Sequence, residues 1–263
     1  MGKIIKHAFD IIGSREKAIA IIDIHEDNKR RKSSAERKLA EQIMKHHKNI
    51  STVLAKITPR KGTFRINDYK HIKGKKDTTV IHKESGCRFF LDPQKAYFSG
   101  REATERLRIA ELVKKNENIM VFFAGVGPFC IVLGKKVSSV TGIEINPIAC
   151  KYFEKNIVLN KLDNIKVVEG DVKKVFTKFK SKFNRVLMPL PEQSIDYIIE
   201  ALTILKKNGI CHFYCFSKPE DIKEKKKEIK KIASGYKIKF IKTQKVLSYG
   251  PGIYKCRIDI KKL

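Results

Sequence analysis

Apolar positions follow two different patterns along the 263-residue chain. Up to about residue 95 the apolar runs are short and separated by polar turns, which is typical of small strands. These strands are predicted as a pair within 8–24, then at 53–57, 63–66, 69–72, 79–82 and 87–91. One helix is expected after the first pair, with Leu39 and Ile43 on one apolar stripe. We therefore predict a small α+β domain over residues 1–95.

From residue 96 onward, longer apolar runs alternate with amphipathic segments. Strands are predicted at 119–123, 137–145, 166–169, 185–188, 209–216, 236–247 and 253–260, and helices from near 103 and at 149–160, 195–205 and 221–232. Alternating strands and helices favour a parallel, doubly wound sheet, and the last two strands an antiparallel hairpin at its edge. The prediction for 96–263 is an α/β, Rossmann-like domain.

A glycine turn follows the first of these strands. The run 119–123 stops before Gly125 and Gly127, and the next apolar run carries Glu144 near its end. Glycines let the backbone turn tightly and approach a ligand, and an acid in this place accepts hydrogen bonds from a ribose diol. The third glycine of a dinucleotide fingerprint is missing, which favours a single nucleoside over NAD, with S-adenosylmethionine as the leading candidate. The alternative is a glycine turn that serves packing only.

Two further strand ends carry candidate ligand contacts, because ligands of such sheets bind beyond the carboxyl ends of the strands. Asp171 follows the strand at 166–169, where it either accepts a hydrogen bond from an adenine amino group or caps the next helix. Pro189 and Pro191 follow the strand at 185–188 and cannot continue a ladder. Their loop is therefore expected to be rigid and to form one wall of a base pocket.

The charge balance indicates a polyanionic partner. The chain has 57 basic and 28 acidic side chains, a formal net charge of +29, which favours binding of RNA or DNA. A lysine-rich proteome is the alternative, but it explains the abundant lysine and not the scarce acids. No apolar run is long enough to span a membrane and no signal peptide is recognised, so we expect a cytoplasmic protein.

The six cysteines do not predict a metal site. None forms a C-x-x-C pair, and the histidines lie at no metal-ligand spacing from them. We expect them to be small buried apolar residues in a reducing compartment, with neither a structural zinc nor another bound metal.

Several motifs, in order, resemble one known family. They are Tyr97-Phe98-Ser99 with Arg101 and Ala103–Arg106, then Phe123–Phe129, Ile145–Pro147, Gly170-Asp171 and Leu190-Pro191, preceded by Phe64-Arg65 and Ile81–Phe89. From about residue 8 onward, the chain resembles the archaeal and eukaryotic tRNA guanine-37 N1-methyltransferases. The resemblance implies a class I methyltransferase fold, S-adenosylmethionine as cofactor and the anticodon loop of tRNA as substrate.

The resemblance also implies roles for individual residues. Glu105 matches the family's general base, which removes the N1 proton of guanine; Arg106 would orient it, and Arg65 would stabilise charge on the base oxygen. From the residues alone, Glu105 and Arg106 would instead form surface ion pairs. The implied cofactor contacts are Tyr97, Arg101, Phe123, Gly125, Gly127, Glu144, Ile145, Asp171, Val172 and Pro191.

Three departures from the family pattern matter. Pro189 begins a Pro-Leu-Pro-Glu loop where relatives usually have Asn-Leu-Pro-Lys. Proline here is similar to the subclass that also methylates the wyosine precursor at C7, giving isowyosine, so Pro189 is grouped with the catalytic residues. Most archaeal members begin with an additional domain that contacts the tRNA elbow, for which this chain leaves no room. Val121 stands where relatives usually have an acid.

The leading hypothesis is a monomeric tRNA methyltransferase that makes N1-methylguanosine at position 37. It would also C7-methylate 4-demethylwyosine in tRNA-Phe. One alternative is the aminocarboxypropyl transferase of wybutosine synthesis, a sister family that the segment Tyr249–Tyr254 resembles. The other is a non-catalytic, basic RNA-binding protein that retains the fold.

Overall fold

The chain forms two compact units, residues 1–100 and 101–263. The computed structural model describes residues 9–23, 32–58 and 62–263. Within these ranges, no helix is both long and apolar enough to cross a membrane.

The first unit is a small α+β structure. Its elements are β1 (Phe9–Gly13), β2 (Ala18–Asp23), α1 (Lys32–His46), β3 (Ile50–Lys56), β4 (Tyr69–Gly74), β5 (Val80–Glu84) and β6 (Cys87–Leu91). Strands β1 to β4 form one sheet in chain order, and β5 pairs with β6 as a hairpin. Small and branched residues of β2, among them Ala20 and Ile22, pack with Ala40 and Ile43 of α1.

The strand predicted at 63–66 is wrong. The Arg65 N–H donates to the Gly62 carbonyl at 3.2 Å, which closes a tight turn. Arg65 has a φ of 53° and Gly62 a φ of 67°, both in the left-handed region that extended strands do not use. The short apolar stretch there is therefore part of a turn.

The second unit alternates strands and helices. Its elements are α2 (Ala103–Leu112), β7 (Asn118–Phe122), α3 (Pro128–Gly134), β8 (Ser139–Glu144), α4 (Pro147–Leu159), β9 (Ile165–Glu169), α5 (Val172–Val175), β10 (Phe183–Met188), α6 (Ile198–Ile204), β11 (Leu205–Ser217), α7 (Ile222–Ile232), β12 (Ile238–Gly250) and β13 (Ile253–Lys262). Short 3₁₀ helices cover Gly100–Glu102, Phe176–Phe179 and Ser194–Tyr197.

These seven strands form one sheet in the order β12-β13-β11-β10-β7-β8-β9. Strands β9, β8, β7, β10 and β11 are parallel, whereas β13 is antiparallel to both β11 and β12. The predicted doubly wound sheet with an antiparallel hairpin edge is confirmed. Strand order reverses between β7 and β10, which places a ligand crevice at the carboxyl ends of these strands.

The two faces of β13 differ in chemistry because side chains alternate along a strand. Cys256, Ile258 and Ile260 belong to the large apolar cluster that also contains residues of α6 and α7. The opposite face carries three buried charged residues, Lys255, Arg257 and Asp259. A charged layer therefore lies inside the second unit.

All six cysteines are buried and none forms a disulfide. This confirms their expected role as small buried residues. Within the described ranges, no group of three or more His, Cys, Asp or Glu side chains is placed to hold a metal ion.

Candidate cofactor and active site

Glu144 ties the glycine turn to the end of β8. Its carboxylate accepts hydrogen bonds from the Gly125 N–H at 2.7 Å and from the Asn146 N–H at 2.8 Å. Only 8% of Glu144 is exposed, and burial raises its pKa against the opposing effect of these backbone donors. Each carboxylate oxygen can accept more than one hydrogen bond, so Glu144 retains acceptor capacity for a hydroxyl of a bound nucleoside.

The backbone of the turn requires glycine at two positions. Gly125 and Gly127 have φ values of 57° and 83°, a region that L side chains rarely adopt. A Cβ on Gly127 would lie 2.1 Å from the Phe153 ring, so this glycine also permits close packing of α4. The packing alternative is thus true of Gly127, while Gly125 is half-buried and donates to Glu144.

Phe123 has a strained backbone at the end of β7. Its φ of 55° is unusual for an aromatic residue, and its half-buried ring meets the Tyr197 ring edge-on at 4.9 Å. Such outliers concentrate at ligand sites. Phe123 therefore places an aromatic surface beside the glycine turn.

Asp171 caps helix α5, which was one of its two expected roles. Its side chain accepts from the Lys173 N–H at 2.9 Å. The residue remains half-buried, and a carboxylate with one such bond can still accept another. The Val172 side chain lies in the apolar core, so only its backbone is suited to contact a cofactor. Ile145, which directly follows β8, is half-buried.

This donor set fits a nucleoside. Three neighbouring strands carry it at their carboxyl ends. Strand β7 leads into Phe123 and the glycine turn, β8 ends in Glu144, and β9 is followed by Asp171. Their shared position at the carboxyl ends is where open α/β sheets bind nucleotides.

Glu105 is buried in a network of hydrogen bonds. Its Oε1 accepts from Arg257 at 2.6 Å and from the Tyr214 hydroxyl at 2.8 Å, and its Oε2 lies 2.5 Å from Arg108. Glu105 and Arg106 are each 1% exposed, so the alternative of surface ion pairs is wrong. The Arg106 guanidinium lies 5.9 Å from the centre of the Phe129 ring.

The network continues behind Arg257 along β13 and β11. Arg257 donates to Asp259 at 2.8 Å, and Asp259 lies 2.6 Å from Nδ1 of His212. Nε2 of His212 is 2.6 Å from Arg185, which also donates to Glu117. Burial lowers the His212 pKa and so favours neutral imidazole; Arg185 can only donate, so the His212 proton is on Nδ1, towards Asp259.

The loop after β10 is tied down from two sides. The Ser194 hydroxyl lies 2.7 Å from the carbonyl oxygens of both Met188 and Leu190. Nζ of Lys255 donates to the Pro189 carbonyl at 3.0 Å. The loop backbone is therefore held at three successive carbonyls.

The predicted site residues divide between the two units. Those that follow strand ends at the carboxyl edge of the large sheet are Phe123, Gly125, Gly127, Glu144, Ile145, Asp171, Val172, Pro189 and Pro191. Arg101 is exposed and its guanidinium lies 3.5 Å from the Ser248 carbonyl oxygen. Arg65 and Tyr97 belong to the first unit, where Arg65 is half-buried and Tyr97 exposed.

Among the residues of this network that were missed from sequence are Tyr214, Lys255, Arg257 and Asp259. A signal for three of them was present, because Lys255, Arg257 and Asp259 recur at every second position of an otherwise apolar segment. Alternating charges in a strand usually face solvent. In this chain they are buried, because this face of β13 is covered by the start of α2, where Glu102 contacts Lys255 and Glu105 contacts Arg257.

Comparison with known proteins gives a consistent result. The TRM5/TYW2 methyltransferase domain matches residues 80–241. The chain is 35% identical over 257 residues to tRNA (guanine(37)-N(1))-methyltransferase Trm5b of Pyrococcus abyssi, covering 97% of this chain and 74% of the relative. It is 32% identical to the tRNA (guanine(37)-N(1))/4-demethylwyosine(37)-methyltransferase Taw22 of Nanoarchaeum equitans, covering 85% and 92%.

A third relative has a different reaction. The tRNA(Phe) (4-demethylwyosine(37)-C(7)) aminocarboxypropyltransferase of Methanocaldococcus jannaschii is 33% identical, with 84% of this chain and 89% of the relative covered. Among solved structures, the complex of aTrm5 and tRNALeu has a TM-score of 0.83 at 32% identity, covering 97% of this chain and 71% of the other. M. jannaschii TYW2 in complex with AdoMet has a TM-score of 0.72 at 26% identity, covering 97% and 99%.

Proposed function

Because the chain belongs to the TRM5/TYW2 methyltransferase family, we propose that it transfers a methyl group from S-adenosylmethionine to N1 of guanosine 37 in tRNA. The observation that carries this proposal is the similarity to Trm5b over 97% of the chain. The glycine turn held by Glu144 supports the cofactor assignment, as does the relative solved with AdoMet.

The cofactor, when bound, supplies an electrophilic methyl group on a sulfonium. Around it, Glu144 would accept hydrogen bonds from the ribose hydroxyls, and Asp171 would accept one from the adenine amino group. Gly125 and Gly127 bring the backbone close enough for contact. The remaining cofactor contacts are assigned to Tyr97 and Arg101, because both match the family motif.

Glu105 is the proposed general base. Guanine N1 carries a proton at neutral pH, and a carboxylate within hydrogen-bond reach can remove it. Oε1 is fixed by Arg257 and Tyr214, which are fully buried. Oε2 pairs with Arg108. The Arg108 side chain is 30% exposed, so it can move into solvent and free Oε2. The base role therefore requires that the N1–H replaces Arg108 at Oε2.

Arg65 and Arg106 have supporting roles in this proposal. Negative charge develops on the guanine oxygen as N1 loses its proton, and a guanidinium at that oxygen stabilises it. Arg65 is the proposed donor, on the strength of its match to the family motif. Arg106 adjoins Glu105 in α2 and is fully buried, so we assign it to holding this part of the helix in place.

The direct test is product analysis. The purified protein is incubated with methyl-labelled S-adenosylmethionine and an unmodified tRNA transcript with guanosine 37, and the digested nucleosides are identified by mass. N1-methylguanosine supports the proposal. Cofactor binding with no transfer to any tRNA would leave the non-catalytic RNA-binding alternative, and an aminocarboxypropyl adduct would indicate the sister reaction.

A second activity is proposed for the same site, C7 methylation of 4-demethylwyosine in tRNA-Phe. The observation that favours it is Pro189 in place of the usual asparagine, together with the similarity to the dual-function Taw22. The substrate for its test is tRNA-Phe that carries 4-demethylwyosine, with isowyosine as the expected product. Recovery of only the aminocarboxypropyl product from this tRNA would exclude the second activity.

We further propose that the protein acts as a monomer on the anticodon loop. The cofactor residues Gly125 and Glu144 and the proposed base Glu105 belong to the same compact unit, so the proposed chemistry needs none of them from a second copy. Light scattering at assay concentration, with and without tRNA, measures the oligomeric state. A stable dimer would contradict this part of the proposal.

A further inference from the structure

Lys255 joins two parts of the candidate site. Its Nζ donates to Oε1 of Glu102 at 2.9 Å and to the Pro189 carbonyl oxygen at 3.0 Å, and it lies 5.1 Å from the centre of the Tyr214 ring. Glu102 immediately precedes α2. One side chain of β13 therefore links the start of the helix that carries Glu105 to the loop after β10.

Because Lys255 is buried, its charged ammonium depends on the contacts with Glu102 and with the Pro189 carbonyl. Only 4% of its side chain is exposed, and a buried ammonium is costly unless it is paired and hydrogen-bonded. Glu102, with 11% of its side chain exposed, supplies the opposite charge. Pro189 supplies a neutral carbonyl acceptor, so movement of the loop would leave one Lys255 donor without this partner.

Other hydrogen bonds of the loop after β10 run within the loop, since the Gln193 and Ser194 N–H groups donate to the Leu190 carbonyl at 3.4 and 3.1 Å. Pro189 and Pro191 have no N–H, so the loop lacks two of its possible backbone donors. The single hydroxyl proton of Ser194 is within reach of the Met188 and Leu190 carbonyls, and Lys255 donates to the carbonyl between them. Because Lys255 is also tied to Glu102, it fixes the loop relative to α2, which Ser194 does not do.

We propose that Lys255 is a positioning residue that determines how the target base is received, by clamping the Pro189 loop to the start of α2. This inference rests on the proposed function, in which the loop is a wall of the base pocket and Glu105 acts on N1. The clamp sets the distance between the Pro189 loop and the carboxylate of Glu105. An error of about 1 Å in such a distance can cost on the order of 100-fold in rate.

The chain contains a matched control on the same strand. Nζ of Lys262 donates to the carbonyls of Leu202 and Leu205, at 2.7 and 2.8 Å. It thus ties β13 to the end of α6, away from the Pro189 loop. Lys262→Met removes a similar pair of hydrogen bonds without touching either part of the candidate site.

The experiment compares Lys255→Met, Lys255→Arg and Lys262→Met with the wild type. Calorimetry measures cofactor affinity, and single-turnover assays measure methyl transfer to unmodified tRNA. Lys255→Met is expected to lose roughly 10- to 100-fold in rate, with cofactor affinity within about twofold of wild type. Lys255→Arg should recover part of the rate, and Lys262→Met should transfer at the wild-type rate.

Hydrogen exchange tests the clamp independently of activity. The amides of Leu190 and Ser194 should exchange faster in Lys255→Met than in Lys262→Met. Unchanged exchange in this loop, or equal rate losses in both variants, would overturn the clamp. If wild type transfers nothing while exchange in the loop still depends on Lys255, the proposed function fails and the clamp stands.

Glu102→Gln serves where Lys255→Met does not fold. Glutamine keeps its size and an acceptor for Lys255, and the Lys255 bond to the Pro189 carbonyl stays possible, but the loss of the counter-charge weakens the clamp. Faster exchange at Leu190 and a slower transfer rate are expected in this variant. Wild-type values for both would contradict the proposal.

Discussion

The guanidinium of Arg257 donates to the carboxylate of Glu105 at 2.6 Å, and both side chains are fully buried. Burial alone would lower the Arg257 pKa, but the adjoining Asp259 and Glu105 carboxylates outweigh it and raise that pKa. Tyr214, whose pKa is raised by burial and by Glu105, remains a hydroxyl donor to the same carboxylate. A buried ion pair thus holds the proposed catalytic base.

The first prediction is that Arg257 contributes strongly to stability and Arg108 weakly, although both contact Glu105. Arg257→Met leaves the buried Glu105 carboxylate without its Arg257 partner and should lower the free energy of unfolding by roughly 3–5 kcal/mol. Arg108→Met, at a partly exposed pair, should cost about 1 kcal/mol or less. Urea unfolding of both variants measures the difference. Equal losses in the free energy of unfolding would show that burial does not determine how much each arginine contributes to stability.

The second prediction concerns Glu105 in the chemical step. Glu105→Gln retains the shape of the side chain but not the basic carboxylate, so single-turnover transfer to guanosine 37 should slow by about 100-fold or more. Binding of cofactor and tRNA should persist. Glu117→Gln is the matched control, because Glu117 pairs with Arg185 in the same buried layer. A Glu105→Gln variant with a near-normal rate would make this carboxylate structural.

The third prediction is that pH affects stability and cofactor affinity in opposite directions through Glu144. Burial raises its pKa, so between the unfolded and folded pKa values the folded state binds more protons, and stability falls as pH rises. Affinity for S-adenosylmethionine should rise over the same window, because the ionised carboxylate is the better acceptor for the ribose. Thermal unfolding and calorimetry across mildly acidic pH measure the two trends. The difference between wild type and Glu144→Gln should show both trends, and a variant with the same pH dependence as wild type would remove the assignment.

How far the sequence predicts this site depends on distance along the chain. Gly125 and Glu144 were recognised because a strand, a turn and a second strand carry them within one short segment. The contacts of Lys255 with Glu102 and of Arg257 with Glu105 join residues 153 and 152 positions apart. They depend on the insertion of β13 between β11 and β12, which no local pattern encodes.

The helix before β11 illustrates a local limit. The sequence predicts a helix over 195–205 and a separate strand over 209–216. The structure instead has a 3₁₀ segment, a short α6 and a strand that begins at Leu205. Asn208 does adopt a φ of 65°, but it does so inside β11, where the pairing with β10 shifts register. The turn-forming residues therefore mark an irregularity within a strand.

The fourth prediction is a steep dependence of tRNA binding on salt. With a formal net charge of +29, the protein should neutralise several phosphates, and each adds about 0.7 to 0.9 to the slope of log affinity against log salt. Titrations of labelled tRNA at several potassium chloride concentrations measure the slope. A tRNA with a changed acceptor stem should give the same slope and a similar affinity. A nearly flat slope would mean that the lysines reflect the composition of the proteome.

The last prediction concerns Pro189 as a specificity determinant. An asparagine amide can donate to and accept from the edge of guanine, whereas proline has neither group and offers an apolar ring against which a flat tricyclic base can stack. Its carbonyl is held by Lys255, and this contact uses the backbone, so it survives Pro189→Asn. The variant should therefore keep or raise N1 methylation of guanosine 37 and lose most isowyosine formation. Both nucleosides are quantified from matched tRNA-Phe substrates in one assay, with Pro191→Ala as the control for loop rigidity. Equal loss of both products, or a wild type that makes no isowyosine, would mean that Pro189 does not select between the two bases.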